Sequence, residues 1–171
     1  MKSVEGNFDD PQVNELLKKH FVELRSVSPA GSTHVLDIAG LKDQTIKFWS
    51  LWEGNELMGC GALKFLNDTH GEFKSIRVAD KFKGKDKGIK IINHLIEQAS
   101  KLGIKKLSIE TGSGEFFKPA RKLFKKCGFK DCKPFAHYKE DPNSCYMNLS
   151  LDTFSGTSNL TYIFKLNSTI N

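Results

Sequence analysis

Hydrophobic positions recur along this chain with two different periods, and the changes of period divide it into helices and strands. From Pro11 to Arg25 the apolar residues fall at helical spacing, and Pro11 suits the first turn of such a helix. Residues 45–53 and 57–66 are instead continuous aromatic and aliphatic runs, separated by the turn sequence Glu53-Gly54-Asn55. This pattern predicts two antiparallel strands joined as a hairpin.

The second half of the chain alternates strands with helices. Residues 72–79 predict a third strand after a polar turn. Residues 88–102 then carry a wide apolar stripe at helical spacing, which ends at Gly103. A short strand pattern follows at residues 106–111. Because strand, helix and strand follow one another, the two strands are expected to lie parallel.

The remaining pattern predicts one more helix and a last pair of strands. Residues 116–127 have an apolar inner face, and Gly128 closes this helix. Residues 129–135 and 144–151 are typical of an antiparallel pair, whereas residues 35–41 leave the type of element open. The predicted fold class is therefore α/β (α+β), with a mixed, mostly antiparallel sheet, a central parallel pair and flanking helices.

Length and composition fit one domain. The chain has 171 residues, of which 39% are hydrophobic, and this is enough for one proper core. Residues 1–151 carry the periodic pattern and are expected to form that single domain. Residues 152–171 are rich in Ser, Thr and Asn, with one strand-like patch at 160–166. We expect them to be an extension of unknown role, which could pair two copies into a homodimer.

The formal net charge of +6 comes almost entirely from lysine. Arginine is present only as Arg25, Arg77 and Arg121. Since arginine usually makes the bidentate contacts to phosphates and bases, a lysine excess indicates a solvated surface first. We therefore expect no nucleic-acid partner, and a basic nucleic-acid-binding protein stays the more distant alternative.

The cysteines and the N-terminus restrict the type of site and the compartment. Cys60, Cys127, Cys132 and Cys145 form no CxxC pair and have no histidine at metal-ligand spacing, so no metal is expected. Residues 1–10 are polar and acidic, unlike a signal peptide, and no apolar run has the length of a membrane span. We expect a cytoplasmic protein with reduced thiols and no membrane partner.

The junction between the strand at 72–79 and the helix at 88–102 carries the clearest chemical signal. Gly84 and Gly88 relax the connecting loop, and the first turn of the helix leaves backbone N–H groups unpaired. The loop and the start of the helix also carry Lys81, Lys83, Lys85, Lys87 and Lys90. Such a helix end binds phosphate, so the junction predicts an anionic, phosphate-bearing cofactor.

Four segments carry a family resemblance: FWSLWEGNELMGCGALKFL, HGEFKSIRVA, LSIETGSGEFFKPARKLFKKCGF and PFAHYKEDPNSCYM. They resemble the GNAT acyltransferases, and the resemblance spans roughly residues 5–151. They are most similar to a bacterial branch with members labelled indole-acetic acid acetyltransferases. In this family a motif of Gln or Arg, two residues, Gly, one residue, and Gly or Ala holds the pyrophosphate of acetyl-CoA through backbone amides. Here it corresponds to Lys83-Gly84-Lys85-Asp86-Lys87-Gly88. The resemblance implies the GNAT acyl-CoA N-acyltransferase fold, with acetyl-CoA as acyl donor.

This sequence departs from the family motif in ways that bear on the cofactor. Asp86 replaces the middle glycine, Lys83 replaces Gln or Arg, and Lys90 stands where a small residue is usual. An aspartate repels a diphosphate unless its side chain turns away or caps an amide of the first helical turn. Phe124 occupies the position of the tyrosine that protonates the thiolate in many members. We therefore expect a weaker or rearranged cofactor site.

The resemblance also implies the reaction, which is direct attack by a primary amine of a small molecule or peptide in a ternary complex. Such an amine must be neutral, and this requires a base. Glu72 lies eleven residues before Lys83, which matches the strand position of the base glutamate in histone acetyltransferases of this superfamily. It is the first candidate for the base, and Glu110 is the second. Tyr138, Cys127 or water could protonate the thiolate. Glu72 could instead be a surface partner of a lysine, and Glu110 a hydrogen-bond acceptor that supports the fold.

The resemblance assigns the thioester oxygen to the backbone amides of Ile76 or Val78. Arg77 could orient an anionic substrate, bind cofactor phosphate or be a surface cation. The predicted activity is that of an acetyl-CoA-dependent N-acetyltransferase. The alternative within the same fold is a CoA-binding protein with impaired or regulatory activity, which the departures at Asp86, Lys90 and Phe124 suggest.

Overall fold

The computed structural model describes residues 1–151, and the extension predicted at 152–171 lies outside the described residues. Within the described part, seven strands form one sheet in the order β1-β2-β3-β4-β5-β7-β6. The strands are β1 (Lys2–Glu5), β2 (Ile46–Glu53), β3 (Glu56–Phe65), β4 (His70–Val78), β5 (Lys106–Gly112), β6 (Lys130–Asp131) and β7 (Ser144–Ser150). The helices are α1 (Pro11–Val27), α2 (Ile38–Leu41), α3 (Lys87–Lys101) and α4 (Lys118–Lys126), with 3-10 turns at Asp80–Phe82 and Glu115–Phe117.

This architecture confirms the predicted fold class. β2 and β3 form the expected hairpin, and β4 and β5 are the parallel pair within an otherwise antiparallel sheet. The first helix begins at Pro11 as predicted, because the Asp10 carboxylate caps it by accepting from the Gln12 amide at 2.9 Å.

The structure corrects or completes four local points of the sequence analysis. The N-terminal segment pairs with β2 as the short edge strand β1, which its polar sequence did not indicate. The segment left open contains the single-turn helix α2, capped by the Asp37 side chain. The strand predicted at 129–135 is reduced to the two-residue β6, because Pro134 has no N–H for the ladder. The helix predicted from residue 116 begins at Lys118, after a 3-10 turn.

The sheet separates two hydrophobic cores. On one face, α1 buries Val13, Leu16 and Leu17 against β2 and β3. On the other face, α3 packs its apolar stripe on β3 through two glycines. A Cβ on Gly59 would come within 2.4 Å of Ile91 Cδ1, and one on Gly61 within 2.3 Å of Leu95 Cδ1. The two glycines therefore let α3 lie unusually close to the sheet. This close packing fixes the position of the N-terminus of α3.

Candidate functional site

The central strands separate after three residue pairs. β4 pairs with β5 only from His70–Glu72 to Lys106–Ser108, and beyond this point β5 continues its pairing with β7 alone. The separation opens a cavity of about 570 Å³, lined by both strands, α1, α4 and the start of α3. The Ala79 amide bonds the Met58 carbonyl on β3 at 2.9 Å, so strand alternation points the Val78 amide the other way, into the opening.

A β-bulge gives β4 a different chemistry on each face. Ser75 has a left-handed backbone (φ 51°), and the pairing register with β3 shifts between Cys60 and Ala62. The alternation of side chains therefore slips by one residue. Phe73, Ile76 and Val78 pack on the α3 side, whereas Glu72, Lys74 and Arg77 contact α1 and the loops on the opposite side. The cavity thus has an apolar half beside α3 and a polar half beside α1.

The start of α3 lies at one end of the apolar half and leaves backbone amides unpaired. The Lys90 amide is the first to bond back, to the Asp86 carbonyl at 3.4 Å, so the amides of Lys87, Gly88 and Ile89 precede the helical ladder. Gly88 is buried against α4, and a Cβ at this position would lie only 2.6 Å from Leu123 Cδ2. The sequence-predicted Gly84, Asp86 and Gly88 all line the cavity.

The backbone conformation at residue 86 explains why an aspartate can replace a glycine there. It is left-handed (φ 55°), the conformation that a glycine adopts freely and that Asp adopts more readily than most residues. Its side chain is exposed and makes no cap hydrogen bond to the helix. The aspartate therefore leaves the turn intact but places a carboxylate, without an ion partner among residues 1–151, at the mouth of the cavity.

The lysines of the junction are more neutralised than the sequence indicated. Lys81 pairs with Glu56, Lys83 with Asp80 at 2.5 Å, and Lys87 with Glu53 at 2.5 Å. These surface pairs lower the net positive charge near the helix end. Lys85 and Lys90 form no ion pair among residues 1–151. An anion at this helix end would therefore contact backbone amides more than free positive charges.

Glu72 and Tyr138 lie together behind the cavity wall. The Tyr138 hydroxyl donates to Glu72 Oε1 at 2.5 Å, and Lys74 Nζ donates to the same oxygen at 3.3 Å. Glu72 is only 1% exposed and does not line the cavity, and neither does Tyr138. Burial, followed by the neighbouring Glu72 carboxylate, raises the pKa of Tyr138 far above its ordinary value. Glu72 thus has a lysine partner, but it is buried and not on the surface.

Lys74 connects this pair to the loops above the polar half. Its Nζ donates to the His34 carbonyl at 2.9 Å and to the Tyr138 hydroxyl at 3.1 Å, in addition to Glu72. The Ser32 hydroxyl reinforces the link by donating to Asp141 Oδ2 at 2.6 Å. The segment after α1 and the segment before β7 are therefore held together over the cavity.

Glu110 is the carboxylate of β5 that faces the polar half. It lines the cavity and accepts a hydrogen bond from the Ser144 hydroxyl at 2.8 Å. Burial raises its pKa above the ordinary value, although the Ser144 hydrogen bond and Lys74 act in the opposite direction. A carboxylate with this environment accepts a proton more readily than an exposed one.

Arg77 reaches the polar half from β4 and contacts α1. Its guanidinium pairs with Glu23 and lies 3.8 Å from Asp80. Its side chain is only 10% exposed, so it is not the surface cation that was one of the alternatives. His20 is buried beside it, and burial together with the Arg77 charge lowers the pKa of His20 to about 4.

Phe124 closes the apolar half. It is 3% exposed, packs edge-on against Phe129 with 5.4 Å between ring centroids, and lines the cavity. Phe124 therefore places an apolar ring, which has no proton to donate, at this end of the cavity. Cys127, the other candidate proton donor, has its pKa raised to about 11 by burial.

The structure gathers most of the sequence-predicted residues around one cavity. The lining includes Ile76, Arg77, Val78, Lys83, Gly84, Asp86, Gly88 and Glu110, but not Lys85, Lys87, Glu72 or Tyr138. Sequence reasoning missed His20, Glu23 and Lys74. His20 could have been found, because it lies on the apolar stripe of α1, seven residues after Val13.

Two further properties concern residues 1–151 as a whole. No group of three or more His, Cys, Asp or Glu side chains in this part of the chain is arranged to hold a metal ion. Among the helices of the same residues, none combines the length and hydrophobicity needed to cross a bilayer.

Comparisons with known proteins agree with the geometry. The pattern of the acetyltransferase (GNAT) family matches residues 11–129. The uncharacterised N-acetyltransferase YsnE of Bacillus subtilis is 46% identical over 82% of this chain and 93% of its own. The IAA acetyltransferase of Azospirillum brasilense is 31% identical over 75% of this chain and 83% of its own.

A solved structure gives the same fold. A GNAT family acetyltransferase from Elizabethkingia anophelis with acetyl-CoA bound superposes with a TM-score of 0.61 at 20% identity, covering 88% of this chain and 97% of its own. The predicted GNAT fold and the predicted acyltransferase class are thereby confirmed. This chain belongs to the acetyltransferase (GNAT) family.

Proposed function

We propose that this protein transfers the acetyl group of acetyl-CoA directly to a primary amine of a small molecule or peptide, within a ternary complex. One observation carries the proposal. A single cavity runs from the unpaired amides of α3, through the opening between β4 and β5, to a polar half that contains Glu110. An anionic donor and a polar acceptor can therefore enter from different sides and meet between the strands.

The apolar half of the cavity, which we call the donor half, fits the chemistry of acetyl-CoA. The amides of Lys87, Gly88 and Ile89 would hold the pyrophosphate, since a helix N-terminus favours anions and these groups lack helical partners. The amides of Ile76 and Val78 would bind along the donor and stabilise charge on the thioester oxygen. Bound acetyl-CoA supplies an activated acyl group with a thiolate leaving group. The B. subtilis acetyltransferase solved with CoA, at 20% identity and a TM-score of 0.61, supports the compatibility of the fold.

Glu110 is the carboxylate best placed to take the proton from the acceptor amine. It faces the cavity, whereas Glu72 is sealed behind Lys74 and Tyr138. We therefore assign Glu72 and Tyr138 a positioning role: they hold Lys74, and Lys74 holds the segment at His34 over the acceptor. A base role for Glu72 would require a proton path past this network.

No residue of the described cavity is a strong candidate to protonate the departing thiolate. The Tyr138 proton is already donated to Glu72, and its raised pKa makes it a poor acid. A thiolate is stable enough to leave without a dedicated acid, and solvent can protonate it afterwards.

The second candidate function is CoA binding with impaired or regulatory activity. The buried Phe124 and the exposed Asp86 carboxylate favour it, because one removes a proton donor and the other repels the diphosphate. Both functions require the same donor half. They differ in whether an amine panel releases thiol from acetyl-CoA.

Substitution of Asp86 tests the donor half by a gain of affinity, which misfolding cannot imitate. D86N and D86G both retain the left-handed turn and remove the carboxylate. Titration calorimetry at low salt is expected to show tighter acetyl-CoA binding by about 0.5–1 kcal/mol, or roughly two- to fivefold. D68N is the matched control, because Asp68 is an exposed aspartate in the turn before β4.

If D86N and D86G bind acetyl-CoA no more tightly than D68N, the diphosphate does not lie at this turn. Thiol release is then measured with wild-type protein, acetyl-CoA and a panel of primary amines. Release that depends on an amine supports the transferase. Saturable acetyl-CoA binding without amine-dependent release supports the second candidate.

A further inference from the structure

Unpaired polar atoms collect on one wall of the polar half. Among residues 1–151, six buried side-chain atoms have no hydrogen-bond partner. Glu23 Oε2 and Arg77 Nη2 face each other in the Arg77–Glu23 ion pair, and Glu72 Oε2 belongs to a residue that does not line the cavity. The other three are His20 Nδ1, Ser75 Oγ and Arg77 Nε. All three residues line the cavity. Buried polar groups in folded proteins almost always have partners, so a cluster of unpaired ones beside a cavity indicates a missing ligand.

The three groups share one property, which is that each can donate a hydrogen bond. Arg77 Nε–H is an obligate donor, the Ser75 hydroxyl can donate, and a neutral imidazole can donate through Nδ1. His20 is neutral at physiological pH because its pKa is lowered to about 4. The group that satisfies this wall must therefore be an acceptor.

The surrounding charges select the kind of acceptor. Arg77 supplies a permanent positive charge, nine-tenths buried, which favours an anion over a neutral carbonyl. Glu23 and Asp80 already lie against the guanidinium, and they would repel a doubly charged phosphate more than a singly charged carboxylate. A carboxylate matches both the donors and the charge.

Lys74, the other cation of the polar half, is not available for this purpose. Its three N–H groups are used by the His34 carbonyl, the Tyr138 hydroxyl and Glu72. Among residues 1–151, an anionic substrate group in the polar half therefore has Arg77 as its cationic anchor, on the strand opposite Glu110. The two residues would separate the two ends of the substrate.

We propose that the acceptor is a carboxylate-bearing amine of the amino-acid type, with its carboxylate bound by Arg77 and Ser75 and its amine directed toward Glu110. This inference rests on the proposed acetyl transfer and adds the class of acceptor. His20 completes the carboxylate site from α1. Glu23 holds the guanidinium in place when the acceptor is absent.

Matched pairs of acceptors test the inference. Each L-amino acid is assayed beside its own carboxamide, which keeps the amine and side chain but removes the negative charge. With wild-type protein, kcat/KM is expected to be about tenfold or more higher for the preferred amino acids than for their amides. Equal values across the panel would overturn the inference while leaving acetyl transfer intact.

Variants of the ion pair locate the preference. R77Q/E23Q removes both charges together, so neither is left buried alone, and it is expected to abolish the discrimination between acid and amide. E23Q alone frees the guanidinium and is expected to lower KM for amino acids without changing KM for their amides. A preference that persists in R77Q/E23Q would also overturn the inference.

A binding measurement separates this inference from the proposed function. N-acetyl amino acids and N-acetyl amino-acid amides are titrated into the protein saturated with CoA, which requires no turnover. Tighter binding of the acids, lost in R77Q/E23Q, supports the carboxylate site even if no amine is acetylated. Turnover of amines without any carboxylate preference supports the transferase and contradicts the site.

Discussion

The two halves of the cavity are built from different materials. The half beside α3 is made of backbone amides, glycines and apolar packing, and its lysines are largely paired with surface carboxylates. The half beside α1 is made of side chains, including Glu110, Arg77 and Lys74. A backbone site tolerates substitutions such as Asp86, whereas a side-chain site changes its chemistry with each replacement. The donor is therefore expected to be constant and the acceptor variable.

The largest effect on activity is expected in the polar half, from the variant E110Q. Loss of the proton acceptor should lower kcat about 10²–10⁴-fold. In wild-type protein, kcat/KM should fall as pH decreases through the raised pKa of Glu110, because the carboxylate must be ionised to act. Steady-state thiol release over a pH series measures both quantities.

E72Q is the companion variant, because it changes the carboxylate of β4 in the same way. It weakens the hold on Lys74, so it should lower thermal stability and raise KM while keeping the acidic limb of the pH profile. If E72Q loses this limb and E110Q keeps it, the two roles are reversed.

The second prediction concerns the acid sensitivity of folding stability, which arises from His20 in the polar half. His20 has a pKa of about 4 when folded and an ordinary value of 6.5 when unfolded, so the unfolded state binds more protons between these values. Stability contributed by neutral His20 is present above pH 6.5 and is lost as the pH falls toward 4. The loss amounts to about 3 kcal/mol.

Urea unfolding of wild-type protein and H20N from pH 7 to pH 4 measures this term by difference. H20N cannot gain the proton, so its unfolding free energy should fall less steeply over this range. Parallel curves for the two proteins would show that His20 does not lie in the buried, cation-facing site described.

The third prediction concerns the apolar half and has the smallest expected effect. In G59A, the new Cβ would lie 2.3 Å from the Arg77 carbonyl and 2.4 Å from Ile91 Cδ1. Because one contact is with backbone, β4 must shift, which should cost about 1–3 kcal/mol of unfolding free energy and weaken acetyl-CoA binding. Thermal unfolding and titration calorimetry measure the two effects.

G114A is the control for G59A, because a Cβ there meets no atom within 4 Å and the residue has a negative φ. It should unfold at nearly the wild-type temperature. Equal stability of G59A and G114A would contradict the close approach of α3 to β3.

The sequence predicted what local pattern determines. The strand, lysine-glycine loop and helix at residues 72–102 are contiguous, so the junction with its unpaired helix end could be predicted from the chain itself. The surroundings of Glu72 were not, because Tyr138, which buries it, lies 66 residues away. The same holds for Arg77, whose partner Glu23 comes from α1. Side-chain partners from distant segments leave no periodic signal, and these partners define the polar half of the cavity.

The β-bulge at Ser75 lets one strand serve both halves. If Ser75 continued the regular strand instead of bulging, strict alternation would place Ile76 and Val78 on the same face as Glu72 and Lys74, and would turn Arg77 toward the apolar core. Loss of the bulge, with Ser75 retained in the chain, would therefore act like a reading-frame error within the protein. Every side chain that follows on β4 would move into the wrong compartment, with the amino-acid sequence of that segment unchanged.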